Sequence, residues 1–267
     1  MKRRIFIIAA VVLTVFVAMQ ITVFASDARA EYVKPAYAAT DISGILEKSS
    51  LSDADYETLY RQTGLTKIGV DRCMARGNEG VARIKNIQSG LFCDYAVDTD
   101  RFAPFCRAYR TGKRVACCYL ENGDILVTSS THIAGFSAGH AGLVTDAARG
   151  ETLQAVSYFA ESKTGSVRDF TGRLNFLVLS PVASAEAREE VVRYAKSNLF
   201  GKKYGVFIGK RECGRTQCAH LIWYAYNRLG IDLDGNGGYF VTPKNIANSP
   251  CVRVVQVFGF DLDELWN

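Results

Sequence analysis

The chain has 267 residues, 48% of them hydrophobic and 22% charged, which is ample apolar material for a core in one large domain or two small ones. Its formal charge of +5 is concentrated at the start: without residues 1–30, which hold Lys2, Arg3, Arg4 and Arg29 against Asp27, it falls to +2. A charge that small argues against nucleic acid or a strongly acidic partner.

Lys2-Arg3-Arg4 forms a basic opening, Ile5 to Phe24 is almost wholly apolar, and Ala28-Arg29-Ala30 offers a small-x-small cleavage site. The favoured reading is a signal peptide over 1–30, cut after Ala30, giving a secreted or cell-envelope protein. The alternative is a membrane anchor through residues 5–24, since a stretch of this length spans a bilayer. A linker, 31–40, comes next. Ser52-Asp53-Ala54-Asp55 predicts a capping box opening a helix that stops at Gly64. Residues 67–90 predict one or two further short helices broken at Gly77 and Gly80, and 91–118 is irregular. The domain division is therefore a helical leader region over 31–115 and a second domain over 116–267. Eight cysteines, in an exported chain, predict disulfides for most of them.

From Glu121 the pattern changes. Alternation at 124–128, 140–145, 151–157 and 173–179 predicts antiparallel strands, followed by a helix over 184–198 and a last strand near 252–258. Between them, Thr216 is a candidate N-cap and Cys218 opens a helix that ends at Gly230. The fold class is α+β.

A thiol in the first turn of a helix feels unpaired N–H groups and the positive end of the dipole, which favour thiolate. Of the three histidines, His220 is two residues from Cys218 on the same helix and points elsewhere. His132 is expected in an exposed loop. His140, between Gly139 and Ala141 at a strand start, is the candidate general base. The next strand offers Glu151 and Gln154, on opposite faces, as the group that orients the imidazole. Chemistry alone makes Cys plus His a weak signal.

The order Gly123-Asp124-Ile125-Leu126, Gly139-His140-Ala141-Gly142-Leu143-Val144, Gly201-Lys202-Lys203-Tyr204 and Cys218-Ala219-His220-Leu221-Ile222-Trp223 resembles the circularly permuted, YiiX-like branch of the NlpC-type papain-like cysteine hydrolases. The tail from Gly230 through Pro243 to Ser249 is similar too, so the resemblance spans roughly residues 121–258. It implies an antiparallel half-barrel with the nucleophile at a helix N-terminus. It also implies Cys218 as nucleophile, His140 as base, Gln154 as third member and Tyr204 lining the oxyanion or substrate site. Gln154 stands where the family usually has a carboxylate, and Ala219 where a serine is common. On this reading Gln154→Glu is expected to strengthen the thiolate.

The expected function is an exported thiol protease or amidase, cleaving amide bonds in cell-wall peptides through an acyl-enzyme. A lipid amidase or acyltransferase is the enzymatic alternative, and an idle muropeptide- or lipid-binding module the other. No cofactor and no metal are expected. Asp232-Leu233-Asp234-Gly235-Asn236-Gly237 copies half of a calcium loop, but Pro243 stands where the bidentate Glu belongs. Cys213, Cys218 and His220 have an unusual spacing for zinc and lack a fourth ligand. Cys213 is expected to pair with a remote cysteine such as Cys251 or to stay free, and a Cys213–Cys218 disulfide, a redox lock on the site, is the alternative.

Overall fold

The computed structural model describes residues 2–158, 160–212 and 214–266. Helix α1 (Lys2–Arg29) is followed by four leader helices, α2 (Ser43–Leu46), α3 (Asp53–Thr63), α4 (Lys67–Met74) and α5 (Asn78–Leu91). Ser52 caps α3 with the expected box, its side chain accepting from the Asp55 N–H while the Asp55 carboxylate accepts from the Ser52 N–H. Gly64 ends that helix at φ 69°, a left-handed turn where a Cβ would collide with the Val257 carbonyl.

Then come β1 (Asp98–Ala103), β2 (Cys106–Arg110), β3 (Ile125–Thr128), β4 (Thr131–Ile133), β5 (Phe136–Ser137), β6 (His140–Asp146), β7 (Glu151–Gln154) and β8 (Lys163–Ser166). After them lie α6 (Arg168–Thr171), β9 (Phe176–Pro181), α7 (Ala185–Asn198), β10 (Lys203–Tyr204) and β11 (Arg215–Thr216). The chain closes with α8 (Cys218–Asn227), α9 (Pro243–Ala247) and β12 (Val252–Phe258). The architecture is α+β. Six strands form an antiparallel sheet in the order β12-β9-β3-β6-β7-β8.

Alternation along β3 explains the layering. Ile125 and Val127 join the cluster under α7 and α8, whereas Leu126 joins Leu59, Val70 and Ile84 of the leader helices on the opposite face. The leader is therefore the third layer of the molecule rather than an appendage. Each of those fully buried leader side chains contributes about 1.5–3 kcal/mol by area. Arg72 of α4 ties the layers with charge, donating to Asp124 at 2.6 Å and to Glu121 at 2.8 Å, while Arg188 of α7 reaches Glu121 at 2.7 Å.

Two expectations change here. Residues 98–110 are a β-hairpin, and β2 pairs with β4 (Ala108↔Thr131) in a second sheet ordered β1-β2-β4-β5. That sheet runs across the expected boundary at 115/116. The seven described cysteines are all free thiols. Cys73, Cys117 and Cys118 are buried in the leader-side core, where they pack as small apolar groups. Cys213 lies outside the described residues, so the redox lock and the zinc trio do too.

Candidate active site

Helix α8 packs its N-terminus against β6. Its cap is Gln217 rather than Thr216: the Gln217 Oε1 accepts the Ala219 N–H at 2.9 Å, and the amide nitrogen is held by the Val241 carbonyl. The Cys218 thiol donates to the same Oε1 at 3.3 Å. The backbone N–H groups of Ala141, Ala219 and Cys218 itself lie near enough to the sulfur to favour its thiolate form. Ala141 follows His140, so thiol and imidazole flank one peptide unit.

His140 opens β6 opposite Thr128 and is buried. Its Nε2 lies 2.7 Å from Gln154 Oε1. The orientation of that amide is set by its other end, since Gln154 Nε2 donates to Thr152 Oγ1 at 2.7 Å and to Asp169 Oδ2 at 3.0 Å. Both of those partners accept, so Oε1 must face the imidazole, and His140 must carry its proton on Nε2. Nδ1 is then the lone-pair nitrogen. Phe170 of α6 stacks on the ring, with centroids 5.4 Å apart and planes 7° from parallel.

Glycines clear the space. At Gly165 a Cβ would stand 2.1 Å from Gln154 Nε2, and at Gly142 it would stand 2.9 Å from the Phe170 ring. Asp169, Phe170, Thr152, Gly165 and Gln217 carry no pattern marking them in the sequence. Asp169 is held in turn by the Ser166 N–H at 2.9 Å.

Glu151 lies at the other end of β7, paired with Asp146 and Ser166, and is not among the partners of His140. Tyr204 sits on β10 beside Thr216 of β11, half-buried and close enough to Cys218 that the two would repel if both ionised. Burial keeps its hydroxyl protonated well above the ordinary tyrosine range, hence a donor. His220 is buried along α8, bonds Thr216 Oγ1 through Nδ1, and packs on Trp223 and Tyr224. His132 is not in an exposed loop: it lies on β4, bonded to Ser26 Oγ at 2.7 Å. In the calcium-like turn, Asp232 accepts from the Trp223 indole and Asp234 pairs with Lys210, so both carboxylates have internal partners.

Burial opposes the thiolate expected at the start of α8. Burial pushes the Cys218 thiol up to about 11, against the opposing pull of three backbone N–H groups. Burial likewise pushes His140 down to about 4, with the Gln154 bond opposing it. Desolvation outweighs the helix terminus, so the resting pair is neutral thiol and neutral imidazole. Nor is Gln154→Glu the simple gain expected, since the new carboxylate would face Asp169.

Crevices of about 840 Å³ near Tyr119 and Arg188, and about 530 Å³ near Ser26 and His132, open elsewhere; neither reaches Cys218. The loops that meet Thr216 and Gln217 at the start of α8 carry exposed aromatics instead. Phe207 packs edge-on against Phe240, which meets Tyr239 the same way.

No family model matches the sequence, and no curated protein matches it. Among solved structures, the chain is similar to the metalloprotein yiiX from Escherichia coli O157:H7, at 17% identity and a TM-score of 0.41, over 51% of this chain and 97% of that one.

Proposed function

We propose that the protein is a cysteine hydrolase of amide bonds, with Cys218 as nucleophile, His140 as base, and Gln154 holding the imidazole. The observation that carries this is the 2.7 Å bond between His140 Nε2 and Gln154 Oε1, fixed from behind by Thr152 and Asp169, beside a helix-borne thiol. As substrate enters, the thiol leaves Gln217 and gives its proton to His140 Nδ1. The sulfur forms a bond to the substrate carbonyl carbon, whose oxygen becomes an oxyanion. On this reading the Cys218 N–H and the Tyr204 hydroxyl, which burial keeps protonated, donate to it. Collapse breaks the carbon–nitrogen bond, and the amine leaves with the proton from His140. Water, deprotonated by His140, then cleaves the thioester. The resting thiol is buried, so substrate entry requires the start of α8 to be uncovered.

Peptides of the cell wall are the substrate class favoured from the sequence. The exposed Phe207, Tyr239 and Phe240 favour a second reading, hydrolysis or transfer of a lipid acyl amide.

Labelling with a substrate-like thiol probe tests the activity. Stoichiometric reaction at Cys218, lost in His140→Ala, supports the hydrolase; equal labelling in both proteins overturns it and leaves a binding module. Turnover of muropeptides against N-acyl amides then separates the two substrate classes.

A further inference from the structure

The last turns of α1 are built into the second sheet. Phe16, Met19, Val23, Ser26 and Asp27 fall on one helix face by their spacing. Val23 is buried, and Phe16 meets Phe105 edge-on at 5.4 Å. Ser26 Oγ bonds both the Tyr109 hydroxyl and His132 Nδ1 at 2.7 Å. Asp27 pairs with Arg107 and accepts from Tyr109 at 2.9 Å. Gly135 approaches so closely that a Cβ would stand 2.5 Å from the Thr22 carbonyl oxygen. A segment due for removal after Ala30 has no use for such a seat.

The apolar stretch 5–24 is twenty residues, about 30 Å of helix, which equals the hydrocarbon thickness of a bilayer. The basic residues at 2–4 set its N-terminal end inside. Ser26 and Asp27 then mark the outer interface. Two hairpin tips lie below that mark: Ala134 meets Thr22, and Phe105 meets Phe16 about 9 Å deeper along the axis. Neither tip carries a charge between residues 102 and 106 or between 133 and 139. Phe102, Ile133 and Phe136 are exposed, Phe136 by 73%. The tips also satisfy backbone groups that water cannot reach there: the Ala134 N–H donates to the Phe105 carbonyl at 2.8 Å, and the Ala134 carbonyl accepts from Thr22 Oγ1 at 2.8 Å. Ala134 takes φ 50° in this turn, where Asn or Gly is the usual occupant, and so keeps the tip apolar.

We infer that α1 is retained as a transmembrane anchor, and that the β1–β2 and β4–β5 tips dip into the outer leaflet beside it, fixing the domain on a lipid surface.

The test uses the full chain. After expression, membranes are extracted with alkaline carbonate and the intact mass of the protein is read. The expected result is a pelleted protein with residues 1–30 present; a soluble protein beginning at Glu31 overturns the anchor. The Phe136→Trp variant is then placed in vesicles of brominated phosphatidylcholine. Its added emission, over that of Trp223 and Trp266 in the wild type, is expected to be quenched by at least half relative to unbrominated vesicles. Unquenched added emission with α1 intact overturns insertion of the tips.

Discussion

His140 and Gln154 are fourteen positions apart and joined by a 2.7 Å hydrogen bond whose direction is decided by a third residue, Asp169. Because the amide nitrogen already serves Thr152 and Asp169, the amide oxygen alone is left for the imidazole.

Gln154→Glu is therefore expected to lower kcat/KM by at least tenfold, since a carboxylate about 3 Å from Asp169 repels it. The double variant Gln154→Glu with Asp169→Asn should restore much of that loss, because the asparagine amide can donate where the glutamine amide did. Steady-state turnover of the three proteins checks this. Recovery in the double variant is the decisive reading.

Gly165→Ala places a methyl group 2.1 Å from Gln154 Nε2, against ordinary van der Waals separations. The amide must move, and its bond to His140 with it. The expected outcome is a drop in kcat of about 100-fold or more, with KM little changed. The same variant should move the pH dependence of Cys218 alkylation, which a purely structural loss would not.

Acid should unfold the protein through its buried imidazoles. The folded-state value for His140 is lowered from 6.5 to about 4, so its contribution is complete above pH 6.5 and is lost as pH falls through that window. Full protonation costs on the order of 3 kcal/mol from this residue. Burial lowers His132 and His220 in the same direction. Cys218 acts at the other end: raised from 9 to about 11, it holds stability below pH 9 that is lost as pH rises through 11. Denaturant melts from pH 4 to 8 should show a shallower acid slope in His140→Ala than in the wild type, whatever their absolute stabilities.

Arg72→Ala leaves Asp124 fully buried with its main partner gone. A loss of about 3–5 kcal/mol is expected from the uncompensated charge. Asp124→Asn added to Arg72→Ala should recover part of it, and urea unfolding of the two single variants and the double measures the coupling. If the two losses simply add, Arg72 does not act through Asp124.

Local signals carried much of this fold. The Ser52–Asp55 box, the apolar runs at 124–128 and 140–145 that became β3 and β6, and the cysteine at a helix start are short-range patterns that lie within one element. Cys218, His140 and Gln154 could be singled out from order and residue type. What stayed hidden depends on partners far along the chain. Asp169 and Phe170 sit on a four-residue helix with no periodicity to announce it. The hairpin at 98–110 is exposed on β1, so Asp98-Thr99-Asp100-Arg101 shows no apolar alternation. His132 looks like a loop residue until α1 is seen against it, and the expected thiolate yields to a burial that no local sequence reports.

Leu59, Val70 and Ile84 cover a face of the sheet that would otherwise present Leu126, Val144 and Val178 to water. Proteases often keep a detachable prosegment that blocks the cleft until it is clipped away. Residues 41–91 cannot serve in that way, because the far side of the sheet from α8 would lose its cover along with them. The leader is therefore part of the fold itself, and a chain clipped after residue 91 would expose Leu126, Val144 and Val178 together.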